Sequence, residues 1–487
     1  MTAILKGLGL INSTMAHAQS TEAQVTSVAR RKDTAIPPKR DLLVIAARRL
    51  FHRQALRHLT NMLSRLHSAD AAYVIQHLDS PEGQVMAFDC LPNDELRGQV
   101  LSELDEKTRE HIANSLSPSR ILQILKSLGT DDVADVLGGL PEEQRVQVLA
   151  LMDQEDSAEV KDLLQYEEGT AGSIMTTEVL SLPQDVTAAE AIRHLQEETD
   201  AETAFYIYVT DKDNRLTGVL SLRRLLMDPP STPLEAMMTR HTVSVTPDMD
   251  QEEVARLVAA YNLLAIPVVD QNKALLGIIT VDDVVDVMSE EATEDMLIMA
   301  GAPDEGAFLY SSVPSAARAR FPWLFTNLLG TFLSGALLWY FRFTLQEAVA
   351  LVSFIPVISA MGGNVGLQTS MLVVRGLAVG QIGPGDLWAV WRHELAIGLC
   401  LGLVSGLLVM VVGWLWQGHT MLGVVVGVSL LLAFLVSTSL ASMLPIVFNR
   451  FQIDPAVAAG PFVSTTMDIV GIAIYLTLAT SLLTYLV

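Results

Sequence analysis

From Ala55 to Leu164 apolar residues recur at intervals of three and four, and short polar breaks such as Ser80-Pro81, Pro92-Asn93 and Ser117-Pro118 interrupt them. The rhythm predicts helical hairpins made of segments of about 10–14 residues. Two stretches echo each other, His67 to Asp79 and Gly129 to Pro141, as in stacked helical repeats that bury one another's apolar faces in a superhelix. Between 175 and 290 strand-like and helical runs alternate instead. Met175-Thr-Thr-Glu-Val-Leu-Ser-Leu-Pro answers to Met238-Thr-Arg-His-Thr-Val-Ser-Val-Thr-Pro, and each opens a β-α-β-β-α unit. Five apolar segments follow, near Trp323–Phe341, Val349–Val374, Leu395–Trp416, Met421–Phe448 and Ala456–Val487. Each suffices for the ~20 residues that a hydrocarbon core needs.

Charge sharpens the division. Residues 61–320 hold 18 Lys/Arg against 47 Asp/Glu, whereas residues 321–487 hold four and five. An acidic, water-soluble half therefore precedes a membrane half. The net charge of −23 excludes a duplex nucleic acid as partner, since phosphate binding needs clustered Lys/Arg, and makes cations the natural partners. The two cysteines, Cys90 and Cys400, fall in different halves, which excludes a disulfide framework and fits a reducing compartment. Arg318, Arg320, Arg375, Arg392 and Arg450 flank the inner ends of the spans and only Arg342 an outer one, so the positive-inside rule predicts a cytosolic N-terminus and an external C-terminus. Residues 1–54 are basic and read as a disordered extension; Ile4–Ile11 before Ala16-His17-Ala18 also imitates a cleaved signal.

The paired β-α-β-β-α units end in Gly218-Val-Leu-Ser221-Leu-Arg-Arg224 and Gly277-Ile-Ile-Thr280-Val-Asp-Asp283. They resemble tandem CBS domains, whose Gly-x-x-Ser/Thr-x-x-Asp turn can hold an adenosine ribose through its carboxylate. Only Gly277, Thr280 and Asp283 complete the pattern, because Arg224 replaces the carboxylate in the first copy. The same turn could simply cap the helix that follows. Asp211-Lys-Asp-Asn-Arg-Leu-Thr-Gly lacks the Gly and Glu of a calcium loop and reads as a hairpin turn.

In the membrane half, Phe354-Ile-Pro-Val-Ile-Ser-Ala-Met-Gly-Gly-Asn-Val-Gly-Leu-Gln-Thr crowds Pro356, Gly362, Gly363, Asn364 and Gly366 into one span. Either the helix breaks there and its carbonyls face a polar path, or the small residues form a packing face with Asn364 as interhelical glue. Asp468 lies deep in the last span, and no Lys occurs beyond residue 273. Such a carboxylate serves a mobile cation or proton, or else stays protonated and bonds across helices. Asp454, before Pro455, reads equally as a second cation step or a helix N-cap.

The order of an acidic helical domain, two CBS repeats, an acidic connecting helix and five spans carrying Pro-x(5)-Gly-Gly-Asn-x-Gly-x-Gln, Arg-Gly-Leu-Ala (375–378) and Asp-Pro-Ala (454–456) resembles the MgtE family of magnesium channels. The resemblance implies a multidomain fold: an all-α helical-repeat superhelix, then tandem α/β CBS repeats, then a five-helix transmembrane bundle. The boundaries would be 1–54 extension, 55–170 helical domain, 171–233 and 234–288 CBS repeats, 289–320 connecting or plug helix, and 321–487 transmembrane domain. It further implies a homodimer in the inner membrane, with a Mg²⁺ pore along the subunit interface lined by Asp468, Asn364 and Asp454. Intracellular Mg²⁺ would close it by bridging Asp131 and Asp135, Asp250 and Glu252, and Asp283, Asp286, Glu294 and Asp295, with ATP as a possible regulatory ligand. Asn262 stands where relatives carry Asp, which puts one sensor site in doubt. Without the resemblance, the acidic connector reads as a solvated helix face.

No Gly-Lys pair exists for a Walker A loop, and no Asp-Lys-Thr-Gly for a phosphorylated pump. There is no His-Glu-x-x-His and no Gly-x-Ser-x-Gly, so the expectation is a transporter rather than an enzyme. A secondary divalent-cation/proton exchanger using Asp468 is the alternative to a channel.

Overall fold

A computed structural model describes residues 39–197, 205–302, 313–383 and 385–486. The signal-like stretch and most of the basic extension lie outside the described residues. The chain divides into two compact units, one reaching to residue 250 and including 265–279, the other comprising 251–264 and 280–487.

The first unit opens with a helix where the sequence suggested none: α1 (Lys39–His52) belongs to the stretch expected to be disordered. Ala47 is fully buried, and Arg40 pairs with Asp70 at 2.6 Å while the Arg48 guanidinium donates to the His77 carbonyl, also at 2.6 Å. The positive charge of this end thus serves to dock a helix on the repeat that follows. Nine short helices continue: α2 (Leu56–Leu63), α3 (Ser68–Gln76), α4 (Pro81–Asp89), α5 (Asp94–Ser102), α6 (Glu106–Ser115), α7 (Pro118–Leu125), α8 (Thr130–Gly138), α9 (Glu142–Leu151) and α10 (Gln154–Leu163). They run eight to ten residues, shorter than expected, because the polar breaks end one helix and cap the next. Ser80 accepts from the Gly83 amide and Asn93 from the Leu96 amide, each supplying an acceptor to an otherwise unpaired N–H. Most helices pack on the one two further along: α1 on α3, α3 on α5, α5 on α7, α7 on α9 in one row, and α4 on α6, α6 on α8, α8 on α10 in the other. That is a two-row superhelix.

The CBS pair follows. In the first repeat β1 (Ser181–Pro183) runs parallel to β2 (Tyr206–Thr210), with α11 (Ala188–Glu197) between them. β2 pairs antiparallel with β3 (Leu216–Ser221), α12 (Leu222–Met227) completes the repeat, and α13 (Leu234–Met237) opens the second. The two repeats are interlocked: Thr176, entering the first, bridges Ile278 in the last strand of the second, and Thr239, entering the second, bridges Val219. The hairpin turns match as well. Asp211 accepts from the amides of Asp213 and Arg215, and Asp270 from those of Asn272 and Ala274, so the calcium-like stretch is a self-bonded turn, as the sequence suggested.

The second unit contains α14 (Gln251–Tyr261), the connecting helix α15 (Val281–Met299) and five helices long and apolar enough to cross a membrane: 316–340, 349–378, 387–416, 420–450 and 455–481. They correspond to α16 (Val313–Tyr340), α18 (Ile355–Ala378), α19 (Leu387–Gln417), α20 (Thr420–Arg450) and α21 (Pro461–Ser481), with the short α17 (Arg342–Glu347) between the first two spans. α18 packs against α20 and α21 over a core of Leu351, Phe354, Ile358, Phe434 and Tyr475.

Candidate functional site

Span 2 is interrupted, but not where its glycines stand. A 3₁₀ turn over Val349–Phe354 leads into α18, which is continuous through Gly362, Gly363 and Gly366; Pro356 sits in its first turn. Proline fits there because the first-turn N–H groups have no helical acceptors. The Ile355 amide donates to Val352, leaving the Leu351 carbonyl without the partner an α-helix would give it. The buried Tyr475 hydroxyl donates to that carbonyl at 3.0 Å. Gly366 instead serves close packing: a Cβ on it would lie 2.6 Å from Ser437 Oγ and 2.8 Å from Val463 Cγ1, whereas one on Gly363 would only touch Ser464 at 3.4 Å and one on Gly362 would meet nothing. The expectation of an unwound helix with carbonyls freed at Gly-Gly-Asn is corrected.

Asp468, on α21, is half-buried, and the Ser359 hydroxyl of α18 donates to its Oδ1. Asn364, also on α18, is exposed on the protomer. The third predicted residue, Asp454, is exposed and caps the 3₁₀ turn Pro455–Ala458 by accepting from the Ala456 amide at 2.7 Å. Capping is thus part of its role. Its charge has a second effect, on the connecting helix.

That helix docks at the start of span 5. Ile298 packs with Val374, Ala456 and Ala459, and Gly460 touches its last turn. Burial, with the charges of Asp454, Glu252, Glu291 and Glu294, pushes the Asp295 carboxyl up to about 7. Earlier on the helix, burial and Asp282 push Asp286 up as well. Gln251 donates to Glu291 at 2.6 Å, a neutral contact that relieves none of the repulsion. These are hard oxygen donors of the kind that Mg²⁺ prefers. Among the described residues, however, no three His, Cys, Asp or Glu side chains converge as a finished metal site. Of the sensor residues predicted, Glu252, Glu294 and Asp295 gather with Asp454 at this mouth. In the other unit, Asp135 faces Arg109 at 3.7 Å, and Asp131 shares α8 with it.

Thr280 and Asp283, two thirds of the candidate nucleotide motif, form a capping box at the start of α15: Asp283 Oδ2 receives the Thr280 amide at 3.3 Å and its hydroxyl at 2.7 Å. At Gly277 a Cβ would lie 2.5 Å from the Thr176 carbonyl, so the bridge between repeats itself requires glycine. Both observations give the motif structural work.

One buried acid escaped the sequence reading. Glu394 is 9 % exposed and receives the Thr369 hydroxyl at 3.2 Å, joining α19 to α18. The helix begins at Leu387, before the apolar run that starts at Leu395, which carries this charge into the span. A carboxylate at i+7 on the extended helix was the available signal.

Comparison with known proteins fits this layout. The divalent cation transporter family MgtE matches residues 355–478, the MgtE intracellular N domain 66–169, and CBS domains 171–228 and 234–290. The magnesium transporter MgtE of Thermus thermophilus is 41% identical over 323 residues, 66% of this chain and 71% of that protein. The chain belongs to the MgtE family. The MgtE magnesium transporter of Bacillus subtilis is 36% identical over 317 residues, 65% of this chain and 70% of its own length. A crystal structure of the cytosolic domain of the Mg²⁺ channel MgtE in complex with ATP aligns with 50% of this chain and 99% of its own, at 37% identity and a TM-score of 0.47. As an MgtE protein the chain falls in a transporter family rather than an enzyme class, and its five apolar spans make it a multi-pass membrane protein.

Proposed function

We propose that the protein is a Mg²⁺-selective channel for uptake across the cytoplasmic membrane, closed by intracellular Mg²⁺ at the acidic mouth. The observation that carries the reading is Asp468: a half-buried carboxylate at membrane depth whose described partner is a neutral hydroxyl, in a region whose four Arg all lie near span ends. A carboxylate so placed serves a mobile cation, and outward-facing oxygens suit an ion that keeps its waters. Asp468 and Asn364 would face the path, with Asp454 at its inner end. In a homodimer with the pore between subunits, each protomer supplies one set. The N-terminus is cytosolic and the C-terminus external.

Closure follows from charge. Glu252, Glu291, Glu294, Asp295 and Asp454 repel one another, and Mg²⁺ entering among them favours the docked helix. In the same way Mg²⁺ would neutralise Asp131, Asp135, Asp250, Asp283 and Asp286, while the Asn262 position contributes no charge. An adenosine nucleotide would have to share Asp283 with the helix cap, which makes ATP a modulator at most. Single-channel recording of the reconstituted protein tests the reading. Mg²⁺ currents abolished by Asp468→Asn support it, whereas proton-coupled exchange without resolvable unitary currents would establish the exchanger.

A further inference from the structure

The basic layer at the start of the helical domain has no part in conduction or closure. Residues 39–69 hold seven Lys/Arg and one Asp/Glu, in a chain with 32 against 55, and no acid lies between Asp41 and Asp70. The segment forms α1 and α2, which pack together and end before residue 66, where the match to the MgtE intracellular N domain begins. Arg40 and Arg48 are engaged in holding α1 to the repeat behind it. Arg49, Arg53, Arg57 and Arg65 are exposed and pair with no carboxylate among the described residues.

The apolar residues beside them decide what this face fits. On α1, Leu42, Ile45, Arg49 and Arg53 recur at intervals of three and four, so they share one stripe, opposite the buried Val44 and Ala47. Leu42 and Ile45 are 44% and 41% exposed, and Leu56, at the start of α2, is 40% exposed. A helix docked on protein by one face, with aliphatic side chains and then arginines on the other, matches a phospholipid surface. The aliphatic groups enter the acyl boundary while the guanidiniums take the phosphates. An acidic protein face would meet the charge alone. An anionic bilayer meets both the charge and the apolar stripe, and the five spans keep a bilayer at high local concentration around every chain.

We infer that the outer face of α1 and α2 docks on anionic phospholipid headgroups of the membrane that the spans cross. The inference is independent of Mg²⁺ conduction. It rests on the cytosolic N-terminus proposed above only for the leaflet, which is then the anionic inner one.

The test uses the full chain carrying Cys90→Ser and Cys400→Ser, with a fluorophore on His52→Cys, an exposed position of α1. The chain is placed in phosphatidylcholine nanodiscs with or without phosphatidylglycerol, each containing a doxyl-lipid quencher. Both leaflets are present, so the outcome does not depend on orientation. Quenching should appear in the anionic discs alone and fade as salt rises. Arg49→Gln, Arg53→Gln and Arg57→Gln should each lower the ratio of docked to free about fivefold, the effect of one charge near an anionic leaflet. Leu42→Ser with Ile45→Ser should weaken docking at every salt concentration. Thermal melting, recorded for each variant, should not change, because these side chains lie on the surface. Absent quenching in the anionic discs, equal quenching in neutral and anionic discs, or quenching that survives the triple arginine variant overturns the inference. So does arginine-dependent energy transfer between fluorophores on two copies without lipid quenching, which would make the acidic face of a second copy the occupant.

Discussion

Gly460 lies so close to Met299 that a Cβ on it would sit 2.2 Å from the Met299 carbonyl oxygen. Its φ is +62°, paired with a ψ of −133°, a combination that only glycine adopts without strain. The end of the connecting helix is thus seated on a backbone position that tolerates no side chain. Gly460→Ala should unseat the helix at a cost of about 1–3 kcal/mol. The expected outcome is Mg²⁺ uptake that persists at cytosolic Mg²⁺ levels that close the wild type. Unchanged closure would mean that the seat does not bear on the gate.

Asp468→Ala should abolish Mg²⁺ uptake while the protein still reaches the membrane. Asp468→Asn should do nearly the same, since a neutral amide keeps the size and loses the charge. Complementation of a Mg²⁺-auxotrophic host reads both. Growth on the Asn variant would reassign Asp468 to a hydrogen bond with Ser359.

Neutralising Asp283, Asp286, Glu294 and Asp295 together should uncouple the gate from Mg²⁺ and leave conduction intact. In the wild type, limited proteolysis should show protection of residues 170–320 growing as Mg²⁺ rises through the millimolar range. In the quadruple variant protection should be independent of Mg²⁺. Equal Mg²⁺ dependence in the two proteins would place the sensor elsewhere.

The Asp295 carboxyl, raised to about 7, predicts a pH dependence. Because its pKa is higher when the helix is docked than when the chain is unfolded, protonation favours docking: this contribution is full below about 4 and is lost as pH rises through 7. Proton and Mg²⁺ relieve the same repulsion, so less Mg²⁺ should be needed at pH 6 than at pH 8 for the same protection. Asp295→Asn should flatten the difference. A wild type whose Mg²⁺ midpoint is the same at both pH values would remove Asp295 from the sensor.

The buried Tyr475 hydroxyl satisfies the Leu351 carbonyl where the 3₁₀ turn meets α18. Tyr475→Phe should remove one of that buried carbonyl's bonds, the 3₁₀ bond remaining, and destabilise the transmembrane unit by about 0.5–1.5 kcal/mol. Thermal melting in detergent measures it. An unchanged midpoint would show that another donor or water reaches Leu351.

Hydropathy and periodicity are local properties, and what depends on them was legible in the residues alone: the five spans, the helical repeats, the paired β-α-β-β-α units and the carboxylate at membrane depth. Family motifs added the expected order of domains. Other features arise from packing between distant segments, which no local pattern encodes. Whether Gly366 would break a helix or admit a neighbour depended on Ser437 and Val463 lying against α18. Asp454 and Asp295, about 160 positions apart, acquire their mutual repulsion only because α15 ends against span 5, and desolvation there raises a carboxyl that composition alone would leave ionised. Glu394 becomes a membrane residue because α19 starts before its apolar run, and Asn327 meets Thr465 because Gly330 gives up the volume of a side chain. Sequence determined which residues could enter the membrane; close packing decided which of their polar groups would meet there, because a buried donor or acceptor must find a partner in three dimensions.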